Sequence, residues 1–269
     1  MKILTFGTLK GGVGKTMLCF NIGGILSQLG YKILIIDSDL QGNLTNNIGI
    51  NRTDPSLLTT YDIFNVDEKQ KSPDEIVLKK PNENMPNLDM ISGSIFLHKA
   101  ELKISMVAGR EQILKNYFED YKDFFNQYDY VLIDTNPSMS VVNQNAFLLS
   151  DSIILVSDVS LNSLEGSQLF IALWLEAAKR LRKKNNIHGF VVNDYDKRTK
   201  ISSDFLDYLK NAEDLADIRE IMFNTIIPRN VSITESELAA IPINLYNNKS
   251  AGFKAIASLI DEMFNRKIL

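Results

Sequence analysis

Cysteine is almost absent from this chain: Cys19 is the only one among 269 residues. One thiol cannot close a disulfide within the chain, and it cannot build a four-cysteine metal site. Histidine is nearly as scarce. His98 and His188 lie far apart and lack any metal-ligand spacing, so ordinary surface or core roles are expected for both. No apolar run approaches the roughly 20 residues that a membrane-crossing helix needs. A signal peptide is not expected either, because Met1–Phe6 already reads as a strand. Low-complexity tracts, internal repeats and a convincing linker are also missing, so a single domain is expected over residues 1–269. A cytoplasmic protein is the simplest reading.

What is present is the balance of a globular domain, with 45% apolar and 23% charged residues and enough length for a sizeable core. The net charge of −4 argues at first against nucleic acid, but the distribution is uneven. Residues 1–175 hold 14 basic and 20 acidic side chains, whereas residues 176–269 hold 15 basic and 13 acidic. The C-terminal third can therefore present a basic face, or its cations can be plain solvated surface.

Short aliphatic runs alternate with longer helical patterns, which predicts an α/β fold: a parallel sheet with helices on both faces. Strands are expected at Lys2–Thr8, Lys32–Asp37, Leu88–Ser92, Tyr130–Asp134, Ile153–Val156, Gly189–Asn193 and Phe223–Ile227. Helices are expected at Thr16–Leu29, Glu111–Phe125, Ser163–Lys184 and Ser250–Arg266. Asn51–Asn87 is the least regular stretch, with four prolines, and only a short helix near Leu57–Phe64 is expected there. Cys19 and Trp174 fall inside helices; the first reads as core, the second as core or dimer contact. The cations Lys179, Arg180, Arg182, Lys183 and Lys184 end a helix, where they complement its dipole without any ligand.

A strand, a glycine-rich turn and a helix succeed one another from Lys2 to Leu29. In that context Gly11, Gly12, Val13, Gly14, Lys15, Thr16 and Met17 read as a phosphate-binding loop. Glycines let backbone N–H groups turn inward, the helix adds its positive end, Lys15 reaches the β- and γ-phosphates, and Thr16 binds Mg²⁺. The apolar strand Tyr130–Ile133 ends in Asp134, a carboxylate placed to hold Mg²⁺ or its water shell. The predicted class is thus a single-domain P-loop NTPase that uses ATP and Mg²⁺.

One detail is unusual. The general motif has glycine five residues before Gly14; this chain has Leu9 there and Lys10 directly before the glycine pair. Lys10-Gly11-Gly12-Val13-Gly14-Lys15-Thr16 resembles the deviant Walker A loop of the family that includes ParA/Soj, MinD and the nitrogenase iron protein. The resemblance implies that Lys10 crosses a dimer interface to the partner's nucleotide. Asp37-Ser38-Asp39-Leu40-Gln41-Gly42-Asn43 resembles the ParA segment Asp-x-Asp-Pro-Gln-Gly-Asn, with Leu40 in place of proline. By that likeness Asp39 orients the attacking water and belongs to the magnesium group with Thr16 and Asp134, while Asp37 supports it. Further resemblance lies in Asn136-Pro137-Ser138, Asn145-Ala146, Leu164-Glu165-Gly166 and Ile227-Pro228-Arg229-Asn230-Val231. Asn193 and the turn containing Pro228 and Asn230 are candidates for the adenine; either can equally be an ordinary strand end and turn.

The leading expectation is an ATPase similar to the short ParA/Soj forms that drive plasmid or chromosome partition, without an N-terminal helix-turn-helix. The resemblance implies an ATP-bound homodimer, non-specific DNA as a partner, nucleoid association, and hydrolysis that is weak until a ParB-type centromere-binding protein stimulates it. Arg198 matches a basic position of Soj-like members. A second basic position is Ser232 here, leaving Lys197, Lys200, Arg229, Lys249 and Lys254 to supply the remaining cations. The alternative is a membrane-associated regulator like MinD, but Ser258–Leu269 offers only Arg266 and Lys267 beside its apolar residues, and packing on the sheet explains it better. An iron–sulfur reductase component lacks bridging cysteines. A non-catalytic switch is the remaining class, and measured turnover separates it.

Overall fold

The computed structural model describes residues 1–269, and its framework is one parallel sheet of seven strands. These are β1 (Lys2–Gly7), β2 (Ile33–Ser38), β3 (Leu88–Ile91), β4 (Tyr130–Thr135), β5 (Ser152–Ser157), β6 (Ile187–Tyr195) and β7 (Met222–Pro228). They lie in the order β3-β2-β4-β1-β5-β6-β7. The chain leaves β1 toward one edge, returns to insert β4 beside β1, and continues through β5 to the other edge. Ligands of open parallel sheets bind at the carboxyl ends of strands around such a reversal.

Both faces of the sheet are covered, which is why its central strands are apolar throughout. On β2, Ile33 and Ile35 join the core under the Lys15–Gln28 and Ala251–Asn265 helices. Leu34 and Ile36 join the opposite core with Tyr117, Phe118 and Phe125. A third cluster around Phe147, Phe170 and Trp174 fills the same opposite side under β5 and β6.

All seven expected strands are present, with ends shifted by one or two residues. The helices differ more. The stretch expected as one helix at Glu111–Phe125 is a 3-10 turn (Arg110–Gln112) and two helices, Ile113–Asp120 and Lys122–Phe125, separated at Tyr121 (φ −112°, ψ 35°). The break leaves Phe125 stacked on Phe118 with ring centroids 3.8 Å apart. The long helix runs Leu161–Arg180 and stops before Lys184, where Arg182 takes a left-handed φ of 56°. The irregular stretch holds Thr60–Phe64, which Thr59 and Asp62 cap reciprocally, and Pro73–Ile76. Helices at Val141–Leu149, Lys200–Asn211 and Val231–Leu238 are additional to the expected set.

Cys19 and Trp174 are fully buried, so Trp174 is core and not a dimer contact; His98 and His188 are exposed. On the closing helix Ile260, Met263 and the following Ile268 are buried against the sheet. No helix is long and apolar enough to cross a membrane.

Trp174 donates its indole N–H to Asn186 Oδ1 at 2.8 Å, and the Asn186 amide donates to the carbonyls of Phe147 and Ser150. Trp174→Phe keeps an aromatic side chain but removes the donor, stranding a buried acceptor and leaving a small void. Urea unfolding should show a loss of roughly 1–3 kcal/mol; an unchanged midpoint would mean that water reaches Asn186.

Candidate functional site

The turn after β1 is the first part of the site. Gly12 (φ 75°) and Gly14 (φ 102°) both sit in the left-handed region that favours glycine. At Gly14 a side chain is excluded twice, because a Cβ would lie 2.2 Å from Asn193 Nδ2. That same amide donates to the Val13 carbonyl at 2.8 Å. Asn193, expected at the adenine edge, is thus held against the phosphate loop from behind, and its N–H group stabilises the turn.

Below the loop stand two carboxylates on paired positions of adjacent strands, Asp37 on β2 and Asp134 on β4. Both are fully buried. Asp37 is well supplied with donors: Asp39 N at 3.1 Å, Thr45 N at 2.9 Å and Thr45 Oγ1 at 2.6 Å. Gly93 leaves room for it, since a Cβ there would come within 2.7 Å of Asp37 Cγ. Burial still pushes the Asp37 carboxyl up to about 6. Asp134 has only one donor, the Thr16 hydroxyl at 2.6 Å, and its Oδ1 is buried without a partner. Burial, followed by the nearby Asp37, pushes it up to about 7. Lys15 is buried as well, which lowers its ammonium pKa against the pull of Asp134 and Asp39.

Asp39 closes the far side. Its backbone is tied to Asp37, and its Oδ1 accepts the Gln41 N–H at 2.9 Å. The segment then enters the short Asn43–Asn47 helix, which brings Gln41, Asn43 and Asn47 to the same cavity. This cavity, of about 520 Å³, has the Gly11–Met17 loop on one side and Thr234, Glu237 and Leu238 on the other. Those last three come from the helix behind the Pro228–Asn230 turn. Asn230 itself caps that helix through the Ser232 N–H, and Pro228 ends β7; neither lines the cavity. The sequence offered one signal for this wall: Asn230, a good N-cap, opens a helix that runs back over the loop.

Lys10 does not line the cavity. Its ammonium donates to Asp158 Oδ2 at 2.6 Å and to Ser160 Oγ at 2.8 Å, beyond the end of β5. Within one chain, Lys15 is the one lysine or arginine that lines the cavity. No group of three or more His, Cys, Asp or Glu side chains is arranged to hold a metal by itself.

The six candidate DNA cations gather at the carboxyl ends of β6 and β7. The Arg229 N–H donates to the Tyr195 carbonyl, which joins the Lys197–Lys200 loop to the Arg229 turn. Gly252 packs on Ile233 and against Asn230, which sets the Lys249–Lys254 segment beside that turn. All six are exposed or half-buried. Arg198 and Arg229 each form a two-pronged pair with an aspartate, Asp196 and Asp194 respectively.

Fold and loop together define a P-loop nucleotide-binding protein. An AAA domain family model matches residues 1–188. The chain is 34% identical to the sporulation initiation inhibitor protein Soj of Bacillus subtilis (strain 168), covering 97% of this chain and 98% of that protein. It is 30% identical to the chromosome partitioning protein ParA of Caulobacter vibrioides, over 99% of this chain and 95% of that protein. Among solved structures, apo McdA from Cyanothece superposes with a TM-score of 0.80 at 21% identity, covering 97% of this chain and 99% of that one. The chain belongs to the ParA/Soj-type family of partition ATPases.

Glu237 faces the cavity wall and accepts from the Asn47 amide at 2.7 Å. Burial pushes its carboxyl up to about 7 against that hydrogen bond. A raised acid is stabilising in its neutral form, so the contribution is complete below the ordinary glutamate range and lost as pH rises through about 7. Glu237→Gln never ionises. Its melting temperature should rise relative to the parent as pH climbs from about 4.5 through about 7 and hold level above that; parallel curves would show that Glu237 is freely solvated.

Proposed function

We propose that the protein is an ATP-driven DNA-partition ATPase that works as a nucleotide-joined homodimer on non-specific DNA in the cytoplasm, at the nucleoid. The observation that carries this reading is likeness over nearly the whole chain to Soj and ParA. The site is consistent with it. An unpartnered buried oxygen on Asp134 beside the Thr16 hydroxyl fits a magnesium ion and its waters. The left-handed glycine loop, the helix that starts at Lys15 and the Lys15 ammonium fit a triphosphate. Bound magnesium would neutralise charge on the phosphate oxygens.

The chain's own groups then divide the work. The loop and Lys15 bind and orient the phosphates. Asp39, fixed through Asp37 and Gln41, is placed to position the attacking water. Lys10 rests on Asp158 in the single chain, so the cation that would complete the charge is withheld until two subunits meet. That supports weak hydrolysis by the free protein; stimulation by a ParB-type partner rests on the likeness to Soj and ParA. The apolar side of the closing helix is spent on the sheet, which favours partition over the membrane-associated reading.

DNA binding with ATP, with ADP and with neither tests the function. Binding should require ATP and fall with salt at a log–log slope of about −0.9 per neutralised phosphate. Arg198→Ala should weaken binding to every sequence alike and make the slope shallower. Binding that ignores nucleotide, or prefers one sequence strongly, would count against partition.

The trans role of Lys10 is tested by mixing. Lys10→Ala should keep nucleotide binding and lose dimerisation and turnover. A mixed dimer of Lys10→Ala and Asp39→Ala subunits then has one intact site if the lysine crosses over. That site should turn over at about half the activity of the parent dimer. Inactive mixtures, with mixed dimers demonstrated, would place Lys10 in cis.

A further inference from the structure

At the amino end of the sheet, opposite the phosphate loop, lies a second cavity of about 440 Å³. Its walls come from the start of β1, the Ile113–Asp120 and Val141–Leu149 helices, and the end of the long Leu161–Arg180 helix. The floor is apolar: Ile3, Phe118, Leu148, Leu149 and Leu181, with Met1 at the lip. The rim is cationic, with Lys115, Lys122, Arg182 and Lys183 against a single lining carboxylate, Glu119. Glu119 lies 3.6 Å from Lys115, and the other three cations form no ion pair.

Two features set this rim apart from a solvated helix end. Lys115 and Lys183 are both half-buried, and the charge of Lys115 disfavours the charged form of Lys183. Burial, opposed by Asp151, lowers the Lys183 ammonium, as expected of a cation drawn over an apolar floor without a partner. Asp151 does not relieve it, because its Oδ2 accepts the Ile3 N–H at 2.9 Å. A helix dipole needs cations near its end but gives no reason for two lysines to converge on a hollow.

We infer that this cavity is a second binding site, for a small organic anion with an apolar body. The anionic group would sit between Lys115 and Lys183, and the body would lie on Phe118, Leu148 and Leu149. A hollow of this size holds a small molecule and not an extended chain. The site is separate from the nucleotide cavity and does not rest on its reading.

The test uses the full chain and octanoate, with octanol and inorganic phosphate as controls for the body alone and the anion alone. Calorimetry should show one saturable octanoate per chain, with both controls roughly tenfold weaker or more. Lys115→Gln and Lys183→Gln should each weaken octanoate by about tenfold, and Lys183→Arg should retain it. In the unsubstituted chain octanoate should slow hydrogen exchange at Leu148–Leu149 and Leu181–Lys183. That measurement holds even if a variant folds poorly. Binding that does not saturate, binding indifferent to both lysines, or exchange unchanged at those segments would each overturn the site. Displacement of octanoate by a short DNA duplex would reassign the rim to nucleic acid.

Discussion

Two buried carboxylates govern the design of this molecule. The parallel register puts Asp37 and Asp134 side by side, both side chains fully buried within the chain. An ionised carboxylate in a protein interior is costly unless donors or cations compensate it. Asp37 receives three donors from its own segment, and so becomes the fixed point for Asp39, Thr45 and the short helix that follows. Asp134 receives one hydroxyl and the field of Lys15, and one oxygen remains unmatched. Above them, the glycine loop and the start of the first helix present positive charge without a counterpart. A magnesium nucleotide matches both unmet demands at once, negative toward the loop and positive toward Asp134.

This arrangement also explains why one lysine is buried and the other is not. Lys15 is buried in the field of Asp134 and Asp39 and lines the nucleotide cavity. Lys10 rests outside, on Asp158 and Ser160, in a partly exposed pair. Such pairs are worth little in water and can be exchanged for a better anion. In the proposed dimer a lysine parked this way would turn to the other subunit's phosphates at small cost, whereas Lys15 is buried beside its own loop. The candidate DNA cations show the same contrast. Arg198 and Arg229 are engaged by neighbouring aspartates, while Lys197, Lys200, Lys249 and Lys254 form no ion pairs. This rim therefore combines two arginines already matched by carboxylates with four lysines that are not.

How much was legible beforehand depended on the range of the interactions concerned. The central strands were legible because burial on both faces demands near-continuous apolar runs; the edge strands β3 and β7, interrupted by Asp89 and by Asn224-Thr225, show shorter ones. The phosphate loop was legible because its glycines, Lys15 and Thr16 are contiguous. The break at Tyr121 and the early stop at Arg182 were not, since both depend on how aromatic and helical surfaces pack after the sheet has formed. The Lys200–Asn211 and Val231–Leu238 helices were missed for a related reason: the first is amphipathic but packs Phe205, Leu206 and Leu209 on distant segments, and the second is eight residues long and buries only Ile233 and Ser236.

The sequence by itself determined a parallel α/β ATPase with a lysine preceding its phosphate loop, because local spacing is enough for a strand, a turn and a helix to hold an anion. Only the tertiary structure decided what surrounds that loop. Asn193 supports the loop because it lies near the carboxyl end of β6, against Val13 and Gly14. The helix after Asn230, and not the turn before it, makes the opposite wall. Glu237 meets Asn47 across 190 residues of chain. Lys10 finds Asp158 through the adjacency of β1 and β5. Each of these contacts joins segments far apart in sequence, and which of them meet is fixed by strand order and by the helices that cover the sheet.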